Sequence, residues 1–354
     1  MESTAHIRIR RARLAQGLSL DELACRLGDI TKQGLSKFES GALAPNSTRL
    51  IQLAKVLGVK PEYFLRKDTL ALAPLEFRKL AKMPAYRRDQ VRELMRDHLE
   101  RYVSLERSLD IDVSDKLLPR HSISVATPEH AEQAALQVRG QWGIGSDAIA
   151  NLTDLLENYG FKVVLLDVSE DFDGACASTI DDKNVLLALN GDRPGDRMRF
   201  TAAHELGHWV MAFPDAMAEK DRERCCHRFA AAFLFPADQV HLEFGDQRRQ
   251  RVHFQEILNA KQSYGVSMNM IIFRLKDLGL IGQSDYQKLF IDFSQRGWRK
   301  KEPDALPPER PRRFESLVYR GLAEEVFTLS RAAELLQIPL AQLNADVLRT
   351  ASRE

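Results

Sequence analysis

Cysteine is scarce, and its spacing suits no framework. Cys25, Cys176 and the adjacent pair Cys225 and Cys226 form no C-x-x-C pattern, so a disulfide scaffold is excluded and reduced thiols are expected. Long apolar runs are absent as well. No stretch approaches eighteen consecutive apolar residues, and the opening MESTAHIRIRRARLAQ has no apolar signal region; a cytoplasmic protein with no membrane partner is expected. The chain also lacks net charge (+1), internal repeats and low-complexity tracts. What remains is an ordinary globular composition, 44% hydrophobic and 29% charged over 354 residues, enough for two or three domains. The charge missing from the whole is concentrated at one end. Residues 1–66 hold eleven Lys/Arg against six Asp/Glu, the local excess a nucleic-acid-binding module needs.

That first segment reads as five short helices. IRIRRARLAQG runs to a glycine stop, and SLDELACRLG opens on Ser19 with Glu22 three residues later, a capping box. Thr31 is a suitable N-cap for TKQGLSKFESG, and Gly41 a suitable stop. NSTRLIQLAKVLGV and PEYFLR complete the set. Leu14, Leu23, Ala24, Leu27, Ile30, Leu35, Phe38, Leu50, Leu53, Ala54, Leu57 and Phe64 are the expected core. A plain helical bundle with a solvated basic surface would share this pattern. The stretch LSLDELACRLGDITKQGLSKFESGALAPNSTRLIQLAKVLGVKPEYFL, however, resembles the Xre/Cro-type helix-turn-helix domain of phage repressors along its whole length. The resemblance makes residues 31–40 the recognition helix, with Lys32, Gln33, Ser36 and Lys37 turned toward a double-stranded DNA operator while Leu35 and Phe38 face inward. Gln33 can pair with adenine, and Lys37 can reach guanine or a phosphate. Many such domains carry glutamine just inside the second helix; here Leu20 stands there.

Residues 67–123 read as a helical linker. Val91, Leu94, Met95, Leu99, Tyr102, Val103 and Leu109 make one apolar stripe on a long polar helix. The stripe can dock on the chain's own domain or form a homodimer, which repressor-type heads use to read two half-sites.

Beyond it, TPEHAEQAALQVRGQWGIG and IANLTDLLENYG are helical, and FKVVLLDV, ACASTI and NVLLALN are strands. They form a small sheet packed under the helix that carries RFTAAHELGHWVMAF. His204 and His208, four residues apart, lie about 40° apart around that helix and one turn apart along it, so both imidazoles can reach one metal ion. Glu205 projects beside the ion, within reach of a metal-bound water, where a general base is needed. H-E-x-x-H alone arises by chance in roughly one or two chains per hundred of this length, so two buried core histidines are the competing reading. A catalytic zinc site has three protein ligands, which requires one more. Met211 and Pro214 exclude the extended H-E-x-x-H-x-x-G-x-x-H form; the third ligand must come from another segment.

EKDRERCCHRFAAAFLFP supplies two candidates, Glu223 and His227. The segment resembles the second characteristic helix of the ImmA/IrrE metallopeptidase family, whose pattern E-x-x-A-N-x-F-A-x-x-L-L-x-P falls on Glu223, Cys226, His227, Phe229, Ala230, Phe233, Leu234 and Pro236. RGQWGIG upstream and QRGWRKKEP downstream extend the resemblance over most of residues 125–320. It implies that Glu223 joins His204 and His208 on Zn2+, and that the chain is an endopeptidase whose substrate is a repressor- or antitoxin-type protein. Cys226 and His227 depart from the family's small residue and amide. Cys176, on a strand near the site, could act as an inhibitory thiol, although most buried cysteines are simply small apolar residues.

Six basic residues between Arg299 and Arg313, broken by prolines, read as a surface arm. FTLSRAAELLQIPLAQL reads as two scaffold helices around a turn. The expected fold is α+β, mostly helical with a small sheet. Its parts are a helix-turn-helix domain at 1–66, the linker at 67–123, a zincin-like metallopeptidase domain at 124–284 and a C-terminal helical region at 285–354. The alternative function is a transcription factor whose zincin-like part senses a signal without hydrolysing peptides.

Overall fold

The computed structural model describes residues 5–66, 70–73, 83–299 and 301–351. The remainder of the 67–123 linker, and Lys300 of the basic arm, lie outside the described residues. The chain is mostly helical with two small sheets.

Four helices open it: α1 (Ala5–Ala15), α2 (Leu20–Leu27), α3 (Lys32–Glu39) and α4 (Ser47–Leu57). The fifth expected helix is a 3-10 turn over Pro61–Leu65. Ser19 and Glu22 form the capping box on α2, and Thr31 Oγ1 accepts from Gly34 N at 3.3 Å to start α3. The core gathers Leu23, Leu35, Phe38, Leu53, Leu57 and Phe64. Leu14 is only half-buried, and Ile9, Ala12 and Leu18 fill the interior in its place. The reason is that α1 has two buried faces. Its apolar side packs on the head, while Arg8 turns to a neighbouring helix.

That neighbour is α5 (Ala85–Ser108). Glu93 and Glu100 on one side meet Arg11 and Arg8 of α1. Val91, Met95, Leu99 and Val103 cover one face of the larger sheet, and Tyr102 and Leu105 pack into the C-terminal helices. The apolar stripe read in the sequence is thus occupied within the chain.

After β1 (Ile123–Ser124), α6 (Pro128–Gln141) and α7 (Leu152–Asn158) come β2 (Lys162–Leu166), β3 (Gly174–Ser178) and β4 (Val185–Asn190), in the order β2-β4-β3. β4 pairs parallel with β2 (Val163 with Leu187) and antiparallel with β3 (Cys176 with Leu187). Every residue of β4 is buried. Leu186 and Ala188 face α5, whereas Val185, Leu187 and Leu189 join the core under α8 (Gly195–Val210). A central strand covered on both faces must read as one continuous apolar run.

α8 continues into β5 (Met211–Ala212), which pairs parallel with β1. α9 (Glu219–Leu234) folds back along α8. The approach depends on Gly207, because a β-carbon there would stand 2.9 Å from the Phe229 ring. α10 (Ala237–Phe244), α11 (Phe254–Tyr264), α12 (Met268–Asp277) and α13 (Gln283–Gln295) complete this part. α14 (Arg313–Ala323), α15 (Leu329–Leu336) and α16 (Leu340–Ala351) stack on α5.

The arm between α13 and α14 is fastened chiefly by its acids. Glu302 accepts from Met268 N and Asn269 N at 2.8 and 3.0 Å, covering the exposed N–H groups of α12, and pairs with Lys261 at 2.9 Å. Glu309 does the same for Leu152 N and Thr153 N of α7, at 3.1 and 2.8 Å, and pairs with Arg199 of α8. Between them, Leu306 O accepts from Gly195 N at 2.8 Å, where any β-carbon would collide with Pro307. None of the described helices is long and apolar enough to cross a membrane.

Candidate metal centre

The first five residues of α8 are held from three sides, by the Leu306 carbonyl, by Lys261 on Asp196 and by Glu309 on Arg199. The helix is therefore fixed in rotation, and its second half brings His204, Glu205 and His208 to a cleft facing α9. His204 and Glu205 are 7% and 5% exposed. The two imidazole rings lie 4.9 Å apart, centre to centre.

Glu223 occupies the second turn of α9. One carboxylate oxygen stands 3.2 Å from His208 Nε2 and the other 3.4 Å from His204 Nε2. Donors about 2.0–2.1 Å from one tetrahedral ion are separated by about 3.3 Å, so both spacings suit a shared zinc. All three donor atoms fall within 4.8 Å of one another, and no cysteine joins this group among the described residues. His208 Nε2 is buried and accepts no hydrogen bond, a cost that a bound cation removes. Two neutral imidazole nitrogens and a carboxylate are also a donor set that zinc takes readily.

Glu205 and His204 line a cavity of about 240 Å³ with Phe200, Thr201, Gly174, Asp173 and His227. Asp173 is tied to Arg193 and Arg197, each at 2.8 Å, which fixes the loop before β3. A side chain at Gly174 would run into Thr201, 2.5 Å away, so this strand can lie close against α8 only as glycine.

His227 is at the cleft but outside the ligand group. Its ring is 4.8 Å from that of His204 and 5.8 Å from that of Phe200. Sequence reasoning weighed it only as a rival ligand and missed it as a wall of the cavity, although four residues after Glu223 is the same face of α9. Phe200, Asp173 and Gly174 were also missed; no motif announces them. Cys225 and Cys226 are buried, and burial pushes the Cys225 thiol up, as for an inert structural cysteine. Cys176 is half-buried on β3.

At the other end of the chain, Lys32, Gln33, Ser36 and Lys37 are all exposed on α3, and Leu35 and Phe38 are buried behind them. Lys32 Nζ reaches Asp21 at 2.6 Å, an exposed pair that phosphate can displace. Leu20, in the place of the common glutamine, packs against the core.

Comparison with known proteins identifies two domains. A helix-turn-helix family matches residues 9–64, and the IrrE N-terminal-like domain matches residues 157–276. Over 59 residues, 17% of its length, the chain is 36% identical to the SPbeta prophage-derived uncharacterized HTH-type transcriptional regulator YonR of Bacillus subtilis (strain 168). The chain spans about half, 54%, of that relative. The polypeptide therefore carries an Xre-type helix-turn-helix domain at its N-terminus and, following it, an IrrE N-terminal-like domain.

Proposed function

We propose that the chain is a DNA-binding transcriptional regulator whose second domain is a zinc-dependent endopeptidase acting on a repressor- or antitoxin-type protein. The observation that carries this reading is the convergence of the donor atoms of His204, His208 and Glu223 on one point, next to a cavity that His204 and Glu205 line. When bound, zinc supplies Lewis acidity that polarises a peptide carbonyl and makes water a far better acid. Glu205, buried and adjacent, takes the proton released there and passes it to the departing amine. Phe200 and His227 wall the cleft on one side. Lys32, Gln33, Ser36 and Lys37 meet the operator, and the cytoplasm is the compartment that suits both activities.

The deciding comparison is wild type against Glu205→Gln, each incubated with proteins encoded beside its gene. Cleavage by the wild type alone, with equal zinc in both, supports the peptidase. A second reading, the sensor without hydrolysis, draws on the buried Arg8–Glu100 contact, which ties the DNA-binding head to a helix packed on the sheet beneath α8; it predicts equal cellular effects of both proteins. Homodimerisation on a palindromic operator would use a surface other than the α5 stripe. Cys176 as an inhibitory thiol is part of the proposal only if its replacement by serine raises activity.

A further inference from the structure

The cavity at the metal centre adjoins a second one of about 610 Å³, and Phe200 and His227 line both. One wall is a face of α9, where Arg224, His227, Arg228 and Ala231 follow at three- and four-residue steps. The other is the face of α12 carrying Met270, Phe273 and Lys276. Phe273 continues into a third depression, of about 590 Å³, bounded by Tyr286, Phe290 and Ile291. Through these shared lining residues the three depressions adjoin in a row leading away from His204 and Glu205, and together they outline one groove.

Its floor is apolar and half open to water. Phe273 is 49% exposed and Ile291 55% exposed, and the Phe273 ring leans on Tyr286 and Phe290 at 5.5 and 5.2 Å. An aromatic ridge left in solvent and continuous with a reactive cleft is the kind of patch that receives a partner. The charges sort themselves. Arg228 is held by Glu132 and Asp277 at 2.5 and 2.9 Å, and the Glu129 carboxylate, engaged by the first turn of α6, also lies in the field of Arg228 and Arg224. Arg224 is exposed at the rim, and Lys276 Nζ stands 4.3 Å from the centre of the Tyr286 ring.

We propose that this groove seats the flank of the protein substrate. The occupant is an extended segment whose bulky apolar side chain packs on Met270 and Phe273 and whose neighbouring carboxylate is met by Arg224 or Lys276. The inference rests on the peptidase reading and gives it a substrate class. An extended conformation is required because the carbonyls of a helix are already bonded to its own N–H groups.

The test uses full-length Glu205→Gln and three fluorescein-labelled dodecapeptides in a Gly/Ser background, read by anisotropy. One contains Leu-Phe-Glu-Glu, the second Leu-Phe-Lys-Lys and the third Ser-Ser-Glu-Glu. The first binds tightest. Adding Phe273→Ser weakens it about tenfold with little effect on the third, as loss of one buried aromatic contact implies. Adding Arg224→Glu with Lys276→Glu reverses the order of the first two. Leu242→Ser, at an exposed apolar position elsewhere, changes nothing. Equal binding of the three peptides, or an order unmoved by the groove variants in a protein that still melts normally, overturns the proposal. So does a groove variant that alters self-association in sedimentation while leaving peptide binding alone, since the occupant is then a second copy. If Glu205→Gln ranks the peptides as stated but the wild type cleaves none of them and no neighbouring protein, the groove stands and the peptidase reading falls.

Discussion

Arg8 on α1 and Glu100 on α5 form an ion pair whose side chains are 2% and 8% exposed. A charge left there alone has little water to turn to. Arg8→Met should therefore cost about 3 kcal/mol, near the low end for a broken buried pair because Arg11 stays within 3.5 Å of Glu100. Arg8→Met combined with Glu100→Leu should cost less than the single change. The midpoints of chemical denaturation check this; a larger loss in the double variant would contradict it.

Metal binding should separate five neighbouring residues. Purified wild type should hold about one zinc per chain, and His204→Ala, His208→Ala or Glu223→Ala should each lower the content sharply. Glu205→Gln and His227→Ala should leave it near the wild-type level. Elemental analysis after dialysis decides the matter. Loss of zinc in His227→Ala, with retention in Glu223→Ala, would move the third donor to the imidazole.

On the DNA side, Lys37→Ala and Gln33→Ala should fail differently. If Lys37 meets a phosphate, its removal lowers the slope of log K against log salt by about 0.9. Gln33→Ala should keep that slope and lose about 1–3 kcal/mol of discrimination at one base pair. Titrations of an operator fragment at several salt concentrations measure both.

Burial pushes the Glu157 carboxyl up to about 7, although the backbone N–H groups of Arg312 and Arg313 favour its charged form. The native state thus holds this proton after the unfolded chain has released it. Its contribution to stability is intact below about pH 4.5, falls as pH rises to about 7 and stays low above that. Glu157→Gln keeps an acceptor for both N–H groups and removes the titration. The variant should gain stability on the wild type between pH 5 and pH 8, by on the order of 3 kcal/mol at the upper end, as denaturation curves at each pH would show. A difference that does not change with pH would contradict the assignment.

The parts legible in the sequence were those with a short-range signature. Ser19 with Glu22, Thr31 before α3 and the four-residue step from His204 to His208 each act within one or two helical turns, so spacing alone locates them. Glu223 was reached only through a family pattern. Its distance from His208 is fixed by how closely α9 can lie on α8, a matter of Gly207 meeting Phe229. Phe200, Asp173 and Gly174 were invisible for the same reason, since tertiary contacts alone bring them to the cavity. The basic arm was read by its charge sign, and its acids proved to hold it, because helix N-termini elsewhere in the chain select carboxylates.

The contact of Leu306 and Pro307 with Gly195 also bears on biogenesis. A ribosome completes α8 about a hundred residues before it delivers Glu309. The imidazole-bearing helix is thus translated early and braced late, so nascent chains arrested before the arm would carry the ligands without the clamp that orients them.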